Sequence, residues 1–451
     1  MSEGKTETDM TTGSIFPLLL GFAVPLLLGN IFQQLYNTVD TWVVGNFVGK
    51  QSFSAVGTLG SVTNTIIGFF AGFSSGAGVV ISRYFGAHNI DKVEKAVHTY
   101  VAATIVSCVL MTVLGVALVP MMTRILRSPE EVAPLQEIYL TIYFAGISGL
   151  LIYNAGASIL RAVGNSFYPF MFLVVTTVMN IILDLVFVLA FHMGTAGVAW
   201  ATVIAQLVSA ILVVYVLLTT KSVVRVSLGK IHIDWKILGE ILRIGLPSAL
   251  QLSITAFSNV FVQRYINYFG TDVMGGWTAY SKIDQLFFLP MQSLALAVTT
   301  FVSQNLGSGQ ITRARKGATE ALVMSLVTTA VLVGTVMLFT ETFVSFFIDD
   351  NEGQVIYWGT RFLRINGVFF LTACFNQIYG GVLRGAGKSE IAMFHMLFSF
   401  VIFRQIYLFV VTKYIANAPE SVGMGYPLGW LLCAILVFAA YLKTFPKALP
   451  H

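Results

Sequence analysis

Several ionisable and amide side chains sit inside apolar runs of this chain, and their spacing sorts them onto faces. In GNIFQQLYNTVDTWVVG, Gln33, Tyr36, Asn37 and Asp40 fall at i, i+3, i+4 and i+7, so a helix would carry them on one face. That is a polar stripe ending in a carboxylate. Only a few residues separate Asp40 from Lys50, so the alternative is a carboxylate solvated near the outer surface. MNIILDLVFVLAF places Asn180 and Asp184 at i, i+4, and WATVIAQ places Thr202 and Gln206 at the same spacing. An ionisable side chain in hydrocarbon costs at least about 2.5–3.5 kcal/mol, which makes each a functional suspect. If the two carboxylates, the carboxamide and the hydroxyl converge, they offer only hard oxygen donors. Such a set suits a proton or a monovalent cation rather than zinc or copper. Two neighbouring buried carboxylates need positive charge between them, so one should hold a proton when no other cation is present. The competing reading is a structural hydrogen-bonded network.

The second half of the chain carries different chemistry. Positions equivalent to Asp40 and Asp184 fall near Val262 and Tyr407, and its polar residues are Gln263, Arg264, Lys282, Asp284 and Arg404. Asp284 is expected to neutralise Lys282 or Arg264. Arg404, in VIFRQIYLFVV, has no acid in its own helix, so it either faces a cavity or pairs with Asp284 or helix carbonyls. Arg361 and Arg364 are expected to reach outward along their aliphatic stems, and His395 has no partner histidine at ligand spacing. With 36 Phe, 17 Tyr and 15 Met, the chain can line an adaptable aromatic cavity, although most such residues in a membrane protein simply pack.

These residues must be held by membrane helices. The 451 residues are 56% hydrophobic and 10% charged, against roughly a quarter charged in a soluble protein. A mean hydropathy of +0.80 over the whole length excludes a soluble domain on a single anchor. Apolar runs broken by short polar punctuation predict twelve helices, at about 15–45, 53–81, 95–118, 134–158, 168–190, 196–218, 243–268, 277–303, 318–340, 356–381, 391–412 and 425–443. Pro25 falls in the first, where a missing backbone hydrogen bond makes a bend cheap and marks a candidate hinge. Cys108, Cys374 and Cys433 lie in apolar runs without paired spacing and read as buried small side chains. No short hydrophobic region with a small-residue cleavage site follows the polar first dozen residues, so no cleaved signal peptide is expected.

An even number of spans puts both termini on one side. Seventeen Lys and Arg fall on that side: Lys5, Arg83, Lys92, Lys95, Arg161, Lys221, Arg225, Lys230, Lys236, Arg243, Arg313, Arg315, Lys316, Arg384, Lys388, Lys443 and Lys447. Four fall opposite, Lys50, Arg124, Arg127 and Lys413, while Asp349, Asp350 and Glu352 also lie there. The termini should therefore be cytoplasmic in a plasma-membrane protein. The net charge of +5 is no nucleic-acid footprint, because the basic residues are scattered between apolar runs.

An internal repeat organises the chain. Ser82, Gly86 and Ile90 in SRYFGAHNI align with Ser303, Gly307 and Ile311 in SQNLGSGQI at an offset of 221. LRAVGNS, with Arg161 and Gly164, matches LRGAGKS, with Arg384 and Gly387, at 223, and Pro25 matches Pro247 at 222. The expected fold class is an all-α membrane protein of two six-helix bundles related by a pseudo-two-fold axis along the membrane normal. The boundaries are a tail at 1–14, an N-lobe at 15–218, a charged linker at 219–242 with a short amphipathic stretch, a C-lobe at 243–443 and a tail at 444–451.

Asp40 after Pro25, the SRYFGA segment, Asn180 with Asp184, Thr202, and the paired LRAVGNS and LRGAGKS loops together resemble the multidrug and toxic compound extrusion (MATE) transporters over essentially the whole chain. The resemblance implies two six-helix bundles forming a V around a central cavity, and export of drugs in exchange for sodium or protons. In the DinF-like branch, a cation site is built from residues matching Asp40, Asn180, Asp184 and Thr202. Another branch places acidic ligands in helices seven and ten, where this chain has Gln263, Arg264, Asn366, Asn376 and Gln377. The N-lobe site is therefore the expected one. Gln33, Tyr36, Asn37, Gln206, Arg264, Asp284 and Arg404 are the candidate substrate-cavity residues. The leading expectation is a monomeric secondary antiporter of cationic or zwitterionic amphipathic compounds with no cofactor beyond its coupling ion. A flippase for a lipid-linked sugar is the alternative. An intramembrane aspartyl hydrolase using Asp40 and Asp184 is the remote third, since Asp184 sits in IILDLV and not in a Gly-x-Gly-Asp segment.

Overall fold

The computed structural model describes residues 7–126, 129–347 and 353–445. Lys5, Arg127, Asp349, Asp350, Glu352 and Lys447 lie outside these, as do residues 1–6 and 446–451 of the two tails. Among the described residues the secondary structure is helical, without strands. The first half comprises α1 (Ile15–Val43), α2 (Lys50–Gly86), α3 (Ile90–Leu126), α4 (Ala133–Ala145), α5 (Ile147–Ala162), α6 (Phe167–Leu185) and α7 (Gly194–Thr219). The second comprises α8 (Trp235–Asn267), α9 (Thr271–Gly307), α10 (Ile311–Leu338), α11 (Thr340–Ser345), α12 (Gly353–Gly367), α13 (Phe370–Gly385), α14 (Ser389–Leu397), α15 (Arg404–Val410), α16 (Pro419–Gly423) and α17 (Gly425–Thr444).

Ten helices among the described residues are long and apolar enough to cross a membrane, and α4 with α5, bent by 46°, makes an eleventh. The expected fourth span is thus a broken helix, interrupted at Gly146. The expected tenth, about 356–381, is broken too: α12 and α13 are separated around Val368 and Phe369, and Arg361 and Arg364 lower its hydropathy. The seventh begins at Trp235 rather than 243, so the last third of the expected linker is helix. The remainder holds one 3-10 turn at Leu228–Lys230, with Leu228 and Trp235 strongly exposed. It is fastened to α3 by the Lys230–Glu94 ion pair at 2.6 Å, by Ser227 N–H donating to His98 Nε2 at 3.0 Å, and by Asp234 N–H donating to Thr99 Oγ1 at 3.1 Å.

The repeat is visible in the helix ends. α2 closes with Asn89 N–H donating to Tyr84 O, and α9 closes with Gln310 N–H donating to Asn305 O, both positions offset by 221. α5 and α13 close in the same way, Asn165 to Leu160 and Lys388 to Leu383, offset by 223. These are the long-range bonds of Schellman caps, which require a left-handed residue just before the donor. The first pair supplies His88 at φ +53 and Gly309 at φ +76, so one half carries a non-glycine where the other uses glycine.

Two compact units result: Met1–Asp9 with Val24–Gly245, and Met10–Ala23 with Leu246–His451. Apart from the division at Asp9 and Met10, the divisions fall inside α1, immediately before Val24–Pro25, and inside α8, immediately before Leu246–Pro247. In the first unit, one apolar cluster gathers Ala77, Ile81, Tyr100, Leu160 and Leu217, and a second gathers Val43, Leu59, Leu140, Phe144 and Val198. The three cysteines are free and buried.

Candidate functional site

Asp40 on α1 and Asp184 on α6 meet in the first unit, where they are 8% and 0% exposed. Their carboxyl groups are in side-chain contact, and Tyr36 touches Asp40 and lies beside Thr202. Asn180, one turn before Asp184, is fully buried, and Thr202 on α7 nearly so. The predicted four residues are thus buried side chains from three helices. The solvated-surface reading of Asp40 does not hold. Around them, Asp40 Oδ1, both Asp184 oxygens, both Asn180 amide atoms and Thr202 Oγ1 are buried without a hydrogen-bond partner among the described residues. Unmet buried polar atoms are rare in native proteins and signal an unseen ion, water or proton.

Sequence reasoning missed the α4 side of this site. Tyr139 is close to both carboxylates and to Thr202, and Tyr143 is close to Gln206. The Tyr139 and Tyr143 rings stack at 6.2 Å. Gln136, one turn earlier, is fully buried with neither amide atom bonded. The signal was present: Gln136, Tyr139 and Tyr143 repeat at helical spacing, but tyrosines at that spacing are ordinary in membrane helices. Gln206 has a buried, unbonded carbonyl oxygen. Of the other α1 residues, Gln33 is half-buried and Asn37 exposed.

The chemistry of the set is two carboxylates, a carboxamide, hydroxyls and no soft donor. Among the described residues no three His, Cys, Asp or Glu are grouped to hold a metal ion. A cation here would rest on two acids and neutral oxygens, which fits a proton or a monovalent ion better than a transition metal.

In the second unit, Arg404 is 3% exposed. Its Nη2 donates to Ser258 Oγ and Asn259 Oδ1, each at 2.9 Å, and its guanidinium lies 4.7 Å from the centroid of the Tyr426 ring. Asp284 accepts from Tyr280 Oη at 3.2 Å. The expected pairing of Asp284 with Lys282 or Arg264 is replaced by this phenol, because Lys282 and Arg264 are exposed while Asp284 turns toward its own helix's Tyr280, one turn back. Arg361 and Arg364 are exposed and face Glu420 at 3.4 Å and Glu341 at 3.9 Å. His395 Nδ1 bonds the Ile391 carbonyl of its own helix.

Asp40, Asp184 and Arg404 each adjoin a widened, π-helical turn, whereas Asp284 sits within a continuous α-helix. Val44–Val48 follows Asp40 by one turn, Val186–Ala190 follows Asp184, and Phe398–Phe403 immediately precedes Arg404. Such turns re-aim neighbouring side chains and recur at functional sites.

The MatE family model matches this chain over residues 25–186 and again over 244–410, one stretch in each half. The chain belongs to the MatE family. MatE proteins are transporters, not enzymes, which removes the hydrolase reading at family level. Among relatives, the probable multidrug resistance protein YpnP of Bacillus subtilis is 26% identical over 433 residues, covering 96% of each chain. The probable multidrug resistance protein NorM of Thermotoga maritima is 25% identical over 401 residues, covering 88% of this chain and 85% of its own. A solved structure described as the outward-facing conformation of a multidrug resistance MATE family transporter superposes with a TM-score of 0.91 at 22% identity, covering 99% of both chains. The fold is therefore the twelve-span, two-bundle MATE fold, with the broken pair α12 and α13 standing as its tenth span.

Proposed function

We propose that this MatE protein is a secondary antiporter that exports amphipathic organic compounds across the plasma membrane, with both termini cytoplasmic, in exchange for sodium ions or protons. The observation that carries the reading is the Asp40–Asp184 pair, buried in contact with orphaned oxygens around it. A coupling cation would be held by Asp40 and Asp184, with Asn180 and Thr202 as neutral ligands. It would supply the positive charge that lets two carboxylates share a low-dielectric site. Tyr36 would orient the Asp40 carboxyl group, and Tyr139 stands beside both acids and Thr202. Pro25 lies on the same helix as Asp40, fifteen residues earlier. A bend there re-aims the part of α1 that carries Tyr36 and Asp40, linking occupancy of the pair to the helix conformation that alternating access needs.

The relatives named for multidrug resistance support organic substrates, and one further relative, from Shewanella oneidensis, is named as a transporter of FAD. The test is dye efflux from liposomes holding the purified full chain, driven by a sodium or a proton gradient. Efflux should collapse when the gradient is removed. Gradient-independent efflux would sink the antiporter reading.

A further inference from the structure

Arg404 is a charged group buried in the membrane whose hydrogen-bond partners are neutral, and its Nε–H has no partner at all. A charge in that position is costly, which makes it a functional suspect. Its partners supply a frame. Ser258 and Asn259 from α8 hold one edge of the guanidinium fork, and the Tyr426 ring from α17 covers a face. The frame reaches the surface at Asn259, which is exposed and accepts from the Tyr426 hydroxyl at 3.4 Å, so a ligand would reach the buried guanidinium by displacing that phenol.

A second charge stands close by. Tyr426 lies near both Arg404 and Asp284. Asp284 is nevertheless bonded to Tyr280, not to the guanidinium, and Trp277 packs between the two tyrosines at 4.9 Å from Tyr280 and 5.4 Å from Tyr426. An acid and a base that share a ring neighbour without closing an ion pair present opposite charges to a third party. The aromatic rings between them offer flat apolar surface.

We propose that Arg404, Asn259 and Tyr426 form a carboxylate-binding subsite in the second unit, and that Asp284 faces the cationic end of the same ligand, so the preferred substrates are zwitterionic aromatic amphipaths. This deepens the exporter reading and rests on it. Arg404 can meet a carboxylate with a charge-assisted hydrogen bond, stronger in a dry site than in water, while a simple cation gains nothing from it.

The experiment compares a rhodamine bearing a free carboxylate with the methyl ester of the same dye, by fluorescence polarisation on the purified full chain and by efflux from liposomes. The parent protein should bind the acid about tenfold more tightly than the ester. Arg404→Gln should bring that preference to near parity, and Arg404→Lys, which keeps charge but loses the fork, should restore only part of it. Asp284→Asn should weaken both dyes by a similar factor, since both carry the cationic ring system. If Arg404→Gln does not fold, Asn259→Ala at an exposed position should still cut the preference by about threefold. Absence of acid binding by the parent protein, equal binding of acid and ester, or a preference untouched by these changes overturns the proposal. Gradient-driven efflux of the ester in those cases leaves the exporter reading standing. Loss of gradient dependence for both dyes counts against the exporter reading instead.

Discussion

Both carboxylate oxygens of Asp184 are buried and unbonded, so this residue's charge has the fewest alternatives to a bound cation. Asp184→Asn keeps the shape and removes the charge. Gradient-driven efflux by this variant is expected to fall to background while the protein still inserts and elutes as a folded species. Asn180→Ala deletes one neutral ligand, and the apparent cation affinity should weaken by about tenfold, equivalent to ~1.4 kcal/mol. A titration of efflux against the driving ion reads this directly, and an unchanged midpoint would remove Asn180 from the ligand set. This site was legible because Asp40, Asn180, Asp184 and Thr202 are polar residues in apolar runs, where spacing and cost point the same way. Tyr139, Tyr143 and Gln136 were not, since tyrosines at helical spacing are ordinary packing residues in membrane helices. Asp284 was misread for a different reason: sequence shows which charges are near in the chain, whereas the helix turned Lys282 outward and brought Tyr280 to the carboxylate.

Helices are the scale at which the repeat operates. α1 and α8 each cross from one compact unit to the other close to a proline, Pro25 and Pro247, at equivalent positions of the two halves. Pro25→Ala restores the missing backbone hydrogen bond and should slow transport turnover severalfold while leaving cation affinity unchanged. Turnover equal to that of the parent protein would remove the hinge assignment. Within the first unit, α2 and α8 approach backbone to backbone at Gly76 and Gly245. A Cβ at Gly76 would run into the Gly245 main chain, which cannot swing away as a side chain can. Gly76→Ala is expected to destabilise by about 1–3 kcal/mol, seen as a lower thermal unfolding midpoint in detergent. The twelve hydrophobic segments were readable from period and length, but their breaks were not. Gly146 and the Val368–Phe369 junction interrupt segments whose composition stays apolar through the break, so hydropathy passes over them. SRYFGAHNI and SQNLGSGQI marked the repeat but not the closures: the helices run on to Gly86 and Gly307, past the expected ends at 81 and 303, because the Schellman caps lie inside those polar segments.

Across the whole molecule, two halves with the same helix endings have taken opposite chemistries. The first unit buries a pair of acids, and the second buries an arginine and half-buries a separate acid. That divergence suits a protein whose two halves handle different ligands, a small cation in one and an organic compound in the other. Lys and Arg asymmetry predicts cytoplasmic termini, and protease cleavage of an added C-terminal tag only in inside-out vesicles is the expected result. The central claim is that the Asp40–Asp184 pair couples cation entry to export. Its most direct test is a titration of dye efflux in liposomes holding the parent protein or Asp184→Asn, varying sodium at fixed pH and then pH at fixed sodium. The parent protein should show saturable dependence on one of the two ions, and the variant should show none on either. Saturable ion dependence that survives in Asp184→Asn with an unchanged midpoint would contradict the account.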